Sequence, residues 1–175
     1  MNVASMLLVK PLDQVGRVVK QPPFWAATAG ALAVGGGADG KRAAIRGSAC
    51  YAATALVANL VLKPLVQRRR PESAGLGPFR PLTSSMPSGH AASDTSFAVG
   101  AYQEMQSVLL PMVLLTTASH WSLVRSKSHF LSDILIGDLV GVGIALWSNQ
   151  IWPSHRAAIS ARGLTPRPGV VRHQG

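Results

Sequence analysis

The chain has 175 residues, a length typical of one domain, and combines 47% hydrophobic residues with 14% charged ones. Lys and Arg outnumber Asp and Glu by 17 to 7, and the basic residues collect at 41–46, 63–80 and 156–172. A nucleic-acid-binding protein would spread its basic residues over a soluble face and interleave aromatic side chains. The composition therefore argues against nucleic acid as a partner and is typical of a protein that crosses a membrane several times.

The N-terminal segment 1–22 mixes charged side chains with valines and contains Pro11. Its apolar run at 6–9 is too short for the core of a cleavable signal peptide. We predict an amphipathic helix that lies in the membrane interface.

Five apolar segments follow, and we predict that each is a membrane helix. A helix needs about 20 mainly apolar residues to cross the hydrocarbon core, and shorter ones are tolerated when flanking basic side chains extend to the headgroups. The segments are 24–38, 47–62, 91–102, 108–124 and 134–152. The expected fold class is therefore all-α, a multi-pass transmembrane helix bundle of about five spans.

Domain boundaries follow from the same pattern. The membrane-embedded domain is predicted at 23–153, and the Pro-containing basic segment 154–175 is predicted to be a disordered tail. Within the domain, Gly137-x3-Gly141 has the spacing that lets two helix backbones approach closely in lipid, which indicates a compact bundle. The sequence leaves open whether the chain forms a homo-oligomer.

The first polar motif in this apolar chain is Lys63-x6-Arg70-Pro71, directly after the segment 47–62. Lys offers a point charge and Arg a planar fork that matches phosphate oxygens, so together they can hold a phosphoryl group and neutralise its developing charge. Basic residues at the end of a membrane helix are also ordinary anchors. This motif alone leaves both interpretations open.

The second motif is Pro87-Ser88-Gly89-His90, which begins the segment 91–102. It has the pattern of a helix N-terminus, where Ser88 would cap the helix and unpaired backbone N–H groups attract anions. A capping turn needs no catalysis, so this motif is also ambiguous when taken alone.

The third motif is Ser122 followed by His129-x3-Asp133. On a helix, positions i and i+4 share a face, so we expect the Asp133 carboxylate to accept a hydrogen bond from one imidazole nitrogen. The other nitrogen would then be a fixed, more basic nucleophile. A structural His–Asp pair is the alternative, although ionisable groups at membrane depth usually have a function.

Together these motifs resemble those of the type 2 phosphatidic acid phosphatase superfamily, which are Lys-x6-Arg-Pro, Pro-Ser-Gly-His and Ser-Arg-x5-His-x3-Asp. The resemblance implies hydrolysis of a phosphoester without a metal or another cofactor. It implies that His129 attacks phosphorus to give a phosphohistidine and that His90 protonates the leaving alkoxide. The phosphate ligands would be Lys63, Arg70, Ser88 and Gly89.

The third motif departs from the family at one position, where Leu123 replaces the arginine that follows the serine. On a continuous helix, Arg125, His129 and Asp133 would form one stripe. We therefore expect Arg125 to bind phosphate in place of the missing arginine, with Lys127 as the second candidate.

His90 and Asp94 repeat the i, i+4 spacing. A nearby carboxylate would raise the pKa of His90 and favour the protonated form that a general acid needs, unless Asp94 faces another helix or a water pocket. Two His-x3-Asp pairs are also compatible with a metal site, but the neighbouring Lys and Arg side chains would repel a cation. We expect no metal.

The leading prediction is an integral-membrane lipid phosphate phosphatase that acts on phosphatidic acid, phosphatidylglycerophosphate, or a polyprenyl phosphate or diphosphate. Its partners would be that lipid and the bilayer, in a plasma membrane of bacterial type. The sequence leaves open which side the site faces; it faces outward if the N-terminal segment lies on the membrane surface and the tail is cytoplasmic. Because Leu123 replaces an arginine, a non-catalytic lipid-headgroup binder of the same fold is the first alternative. Vanadate-dependent peroxidases use a related constellation, but they are typically larger and soluble.

Overall fold

The computed structural model describes residues 3–71 and 84–161, and helices make up most of both ranges, with no strand in either. Eight helices follow one another: α1 (Val3–Val19), α2 (Pro22–Gly35), α3 (Gly37–Leu56), α4 (Lys63–Val66), α5 (Gly89–Glu104), α6 (Leu109–Arg125), α7 (Leu131–Ile151) and α8 (His155–Ala161). A π-helical turn, Val57–Leu62, joins α3 to α4 without a break, and a 3₁₀ turn, Gln106–Val108, precedes α6. The predicted all-α class is confirmed.

Three helical stretches in the described part of the chain are long and apolar enough to cross a membrane: Gly37–Val66, Gln106–Arg125 and Leu131–Ile151. The prediction of five spans is not confirmed. Its other two segments correspond to α2, with 14 residues, and α5, with 16, which are shorter than the 20 or so residues that a span requires.

Helix α5 lies at the centre of the bundle, where it packs against α3, α6 and α7. Its buried residues are mostly small: Ala91, Ala92, Ser93, Ser96, Gly100 and Ala101. Because helices surround it, α5 does not have to present an apolar face to lipid. That position explains why α5 can carry the polar residues His90 and Asp94, which make it a weak candidate for a membrane span by hydropathy.

The direction of α5 is antiparallel to α3. Arg46, midway along α3, pairs with Glu104 at the end of α5, and further along α3 the Thr54 hydroxyl donates to Ser96 Oγ at 2.7 Å. The end of the first span, with Lys63, therefore lies beside the start of α5. The bundle consequently has one end that carries the polar motifs and an opposite end that carries Arg46 and Glu104.

Helices α5 and α7 approach each other more closely than ordinary side chains allow. A Cβ added at Gly137 would lie 2.7 Å from the Ser88 carbonyl oxygen, and one added at Gly141 would collide with the carbonyl oxygen of Ala92. The predicted close approach at Gly137-x3-Gly141 is confirmed, because these two glycines let the backbones touch.

The two terminal segments also contain helices. Helix α1 packs against α6, although Pro11 lies inside it; its position in a membrane interface stays a prediction. Helix α8 occupies residues that were predicted to begin a disordered tail, so that prediction differs from the structure at 155–161. The Glu104 carboxylate accepts a hydrogen bond from the His155 amide at 3.1 Å, which ties the start of α8 to the bundle. The remainder, 162–175, lies outside the described residues.

Replacing Gly141 by Ala should destabilise the bundle by about 1–3 kcal/mol, because the new methyl group forces α7 away from α5. We expect a lower melting temperature for the protein in detergent. Gly143→Ala is the matched control, since a Cβ at Gly143 meets nothing within 4 Å. Equal melting temperatures for the two variants would contradict this account of the α5–α7 contact.

Candidate active site

The three polar motifs meet at one end of the bundle, although they are far apart in the sequence. The backbone amide of Ser88 donates to the carbonyl of Asp133 at 2.9 Å, which joins the second motif to the third. Arg70 Nη1 lies 3.3 Å from His129 Nε2, which joins the first motif to the third. The predicted convergence of the motifs is therefore present in the structure.

Lys63 lies against the start of α5. Its Nζ donates to Asn59 Oδ1 at 2.5 Å, and Asn59 in turn donates to the Ala55 carbonyl at 2.8 Å. A Cβ added at Gly89 would lie 3.3 Å from Lys63 Nζ and 3.1 Å from Asn59 Oδ1. Glycine therefore leaves room for the ammonium group beside the backbone at the start of α5, where an anion could meet both.

Two short segments outside the helices pair with each other and carry Arg70 to the site. The Ser85 amide donates to the Arg68 carbonyl at 2.9 Å, and the Arg68 amide donates to Ser84 Oγ at 2.9 Å. From this support the Arg70 side chain reaches the loop between α6 and α7, where Nη1 donates to the Ser128 carbonyl at 3.0 Å. Arg70 thus lies directly beside the imidazole of His129.

Ser88 caps α5 as predicted. Its backbone is extended, and its side-chain oxygen accepts from the Ala91 amide at 3.4 Å. The residue is fully buried, while His90 is exposed. The backbone N–H groups of a helix N-terminus carry a partial positive charge, so this turn can bind an anion.

His129 is held by a different group from the one predicted. Its Nδ1 bonds to the Ser85 carbonyl at 2.8 Å, whereas Asp133 Oδ2 lies 3.8 Å from that nitrogen. Because a carbonyl only accepts, Nδ1 carries the proton and Nε2 keeps its lone pair toward Arg70. The expected hydrogen bond from His129 to Asp133 is absent, since the two residues do not share a helix: His129 precedes the N-cap of α7.

The carboxylate of Asp133 is fully buried and is used in two other ways. Oδ2 accepts from the Phe130 amide at 2.9 Å and so caps α7. Oδ1 accepts from Arg68 Nη1 at 2.8 Å. Asp133 therefore fixes the short segment that carries His129, and it acts on the imidazole through charge and position.

The predicted stripe of Arg125, His129 and Asp133 does not form. Helix α6 ends at Arg125, and Lys127 has a positive φ of 51°, which breaks the helical path before His129. Arg125 Nε donates instead to Asp13 Oδ2 of α1 at 2.6 Å. The structure thus turns Arg125 toward the N-terminal helix, and the stripe on which its assignment to phosphate rested does not form; phosphate binding by Arg125 itself stays an untested prediction.

Of the two alternatives for Asp94, the structure supports the one in which it faces another helix and does not raise the pKa of His90. Asp94 is buried and accepts from Ser119 Oγ at 2.6 Å, so it faces α6. Desolvation and the positive charges of Lys63, Lys20 and Arg70 lower the pKa of His90. His90 is therefore biased toward the neutral form until an anion arrives in the site.

The imidazole of His129 is strongly biased toward its neutral form. Burial, followed by the charge of Arg70, lowers its pKa to about 4; the Ser85 hydrogen bond and Asp133 oppose this shift, and His90 adds to it. At neutral pH the Nε2 lone pair is then available as a nucleophile. Such an arrangement can bind an oxyanion and attack its central atom.

A family model, the PAP2 superfamily, matches residues 46–157, well over half of the chain. The chain belongs to the PAP2 superfamily. Membership supports a phosphatase-type function toward lipid phosphates in general, and the three apolar helices agree with a membrane protein. Comparison with curated proteins and with solved structures found no match.

Three contributors to this PAP2 site were not predicted from the motifs: Asn59, Arg68 and the Ser85 carbonyl. Asn59 lies four residues before Lys63 on the same helical stretch, a spacing at which side chains meet, so its contact could have been found. Arg68 lies among the basic residues that follow the first long apolar helix, where basic side chains are ordinary membrane anchors. The Ser85 carbonyl left no signal, because any residue offers a backbone carbonyl.

Replacing Asn59 by Leu should weaken anion binding, because Lys63 loses the acceptor that holds its ammonium group beside Gly89. We expect the inhibition constant of orthovanadate, a phosphate analogue, to rise about tenfold, the equivalent of one hydrogen bond to a charged group. Asn149→Leu is the control, since Asn149 binds the Ser154 amide at the opposite end of the bundle. An unchanged constant in Asn59→Leu would contradict this role.

Proposed function

We propose that the protein is an integral-membrane, metal-independent phosphatase that hydrolyses the phosphomonoester or diphosphate of a lipid through a phosphohistidine. The observation that supports this most directly is the setting of His129. The Ser85 carbonyl holds Nδ1 at 2.8 Å, and Arg70 lies 3.3 Å from Nε2. One nitrogen is fixed, and the other faces a cation that can hold the phosphate to be attacked.

In the proposed first step, Lys63, Arg70, the Ser88 hydroxyl and the Gly89 amide bind the phosphate oxygens. His129 Nε2 attacks phosphorus while the bond to the lipid oxygen breaks, and His90 donates a proton to that oxygen. The negative charge of the substrate raises the pKa of His90 toward the protonated form, which offsets the effect of the surrounding cations.

In the second step, water attacks the phosphorus of the phosphohistidine. Neutral His90 accepts a proton from that water as the N–P bond breaks, so inorganic phosphate leaves and both imidazoles return to their starting state. The same residue thus serves as acid and then as base. The cations hold the charge on the phosphoryl oxygens in both steps.

A lipid substrate fits the surroundings of the site. Leu65 and Leu131, each two residues from a proposed site residue, are 76% and 61% exposed, and Leu135 is 54% exposed. Apolar side chains beside a cationic site suit a substrate whose headgroup reaches the cations while its tails stay in the bilayer. Phosphatidic acid, phosphatidylglycerophosphate and polyprenyl phosphates or diphosphates all have this form. We propose a plasma membrane of bacterial type as its location, and the site would face outward if the N-terminal segment lies on the membrane surface and the tail is cytoplasmic.

A panel of these lipids, assayed for phosphate release by the purified protein in detergent, tests the proposal. We expect turnover of at least one lipid in the presence of EDTA. His129→Ala should reduce turnover by roughly 10³-fold or more, since the nucleophile is lost. His155→Ala is the matched control, because His155 is an exposed residue of α8. Headgroup binding without turnover would instead identify a non-catalytic lipid binder.

The pH dependence of kcat/KM gives a second test, since it reports groups of the free enzyme. Protonation of Nε2 removes the nucleophile, and the pKa of His129 is lowered to about 4. The acid limb of the profile should therefore lie well below 6.5, the ordinary pKa of an imidazole, and activity should persist near pH 5.5. An acid limb at pH 6.5 or above would contradict the assigned nucleophile.

A further inference from the structure

The arginine that PAP2 proteins place in the third motif has no counterpart at the same position of this chain. Leu123 is 2% exposed and packs with Ala91 and Ile134 in a small core cluster. Arg125, the nearest arginine in sequence, is engaged by Asp13 of α1. The third motif therefore contributes no guanidinium to the site.

A guanidinium does reach the start of α7, and it comes from the first motif. Arg68 Nη1 donates to Asp133 Oδ1 at 2.8 Å and to Ser132 Oγ at 2.8 Å. Its carbon Cζ lies 4.5 Å above the centre of the Phe130 ring, in a cation–π contact. These three contacts, with Phe130, Ser132 and Asp133, hold the segment that follows His129 in place.

The position of Arg68 follows from the shape of its own segment. Residues 68–71 are not helical and pair with the segment that begins at residue 84, and in an extended chain alternate side chains point to the same side. Arg68 and Arg70 both reach the loop that carries His129, whereas the side chain of Arg69 is exposed. Two arginines therefore contact that loop from one segment.

We propose that Arg68 is a positioning residue of the active site, which through Asp133 and Phe130 fixes the loop that presents His129 and replaces the missing third-motif arginine. This inference rests on the proposed function. The carboxylate of Asp133 cannot adjust freely, because one oxygen caps α7 and the other binds Arg68. Loss of Arg68 would leave a fully buried carboxylate with one unpaired oxygen, which is strongly unfavourable.

Arg68 also controls how much negative charge His129 experiences. The charged groups that act on this imidazole are Arg70 and His90, which lower its pKa, and Asp133, which raises it. The cation of Arg68 offsets the charge of Asp133 at 2.8 Å. Without Arg68, the carboxylate would raise the pKa of His129 more strongly.

Arg68→Met tests this role, since Met keeps much of the side-chain length and removes the charge. We expect kcat to fall about 30-fold with KM changed less than about threefold, because a misplaced nucleophile affects the chemical step. The acid limb of kcat/KM should move up by about half a pH unit. Arg68→Lys should restore the acid limb and only part of kcat, since Lys keeps the charge without the planar fork.

Arg69→Met is the matched control, because it removes the same charge one residue away from an exposed position. It should change kcat less than about twofold and leave the acid limb in place. When the protein already carries Asp133→Asn, adding Arg68→Met should not move the acid limb, because the two residues act as a pair.

If Arg68→Met does not fold, the acid limb and the kcat of Arg68→Lys test the proposal in its place.

The outcomes separate the two proposals. If the wild-type protein hydrolyses no lipid phosphate, the proposed function is wrong. If the wild type is active and Arg68→Met matches Arg69→Met in kcat and acid limb, the positioning role is wrong while the function stands. A loss of kcat with an unmoved acid limb would also overturn it, since general destabilisation would produce that result.

Discussion

The close backbone contact between α5 and α7 is the constraint on which the site depends. Gly137 and Gly141 let α7 lie against the carbonyl groups of Ser88 and Ala92, and the Ser88 amide binds the Asp133 carbonyl. This contact brings the N-termini of two helices side by side, so the Ser88 turn and the loop that carries His129 become neighbours. Small residues at Gly137 and Gly141 are needed for this arrangement, because a Cβ at either position would push the two motifs apart.

Neutral groups hold several polar side chains of the site. Lys63 donates to an amide oxygen, Arg70 donates to a backbone carbonyl, and His129 bonds to another backbone carbonyl. Neutral acceptors fix the direction of these side chains, and the acceptor of Lys63 carries no charge that would cancel that of the ammonium group. Burial, and after it the charges of the nearby cations, lowers the pKa of His90 and of His129. We expect a bound anion to offset the effect of these charges.

The sequence predicted the helical class, the motif residues and the glycine contact, because each depends on local spacing. It failed where the chain changes direction without an obvious signal. Lys127 has a positive φ of 51° although Ser126 and Ser128 on either side give no glycine or proline cue, so the helical stripe through His129 was wrong. The predicted number of spans was not confirmed at α5. Hydropathy reports only the composition of a segment, whereas α5 is separated from lipid by the helices that pack around it. Arg68 and Arg69 are identical as residues, and only the pairing of their segment distinguishes them.

Arg46 and Lys63 differ in how their charges are paired. Both lie on the first span, roughly 25 Å apart by the helical rise. Arg46 is 1% exposed and meets a carboxylate, Glu104, at 2.7 Å, a carbonyl at 2.6 Å and the ring of Trp152. Its charge is compensated within the protein, so it stabilises the far end of the bundle. Lys63 donates to the neutral amide of Asn59, which directs its charge and leaves the compensation to a ligand. Lys63, at the end where the motifs meet, thus has a neutral partner, whereas Arg46 near the other end has a charged one.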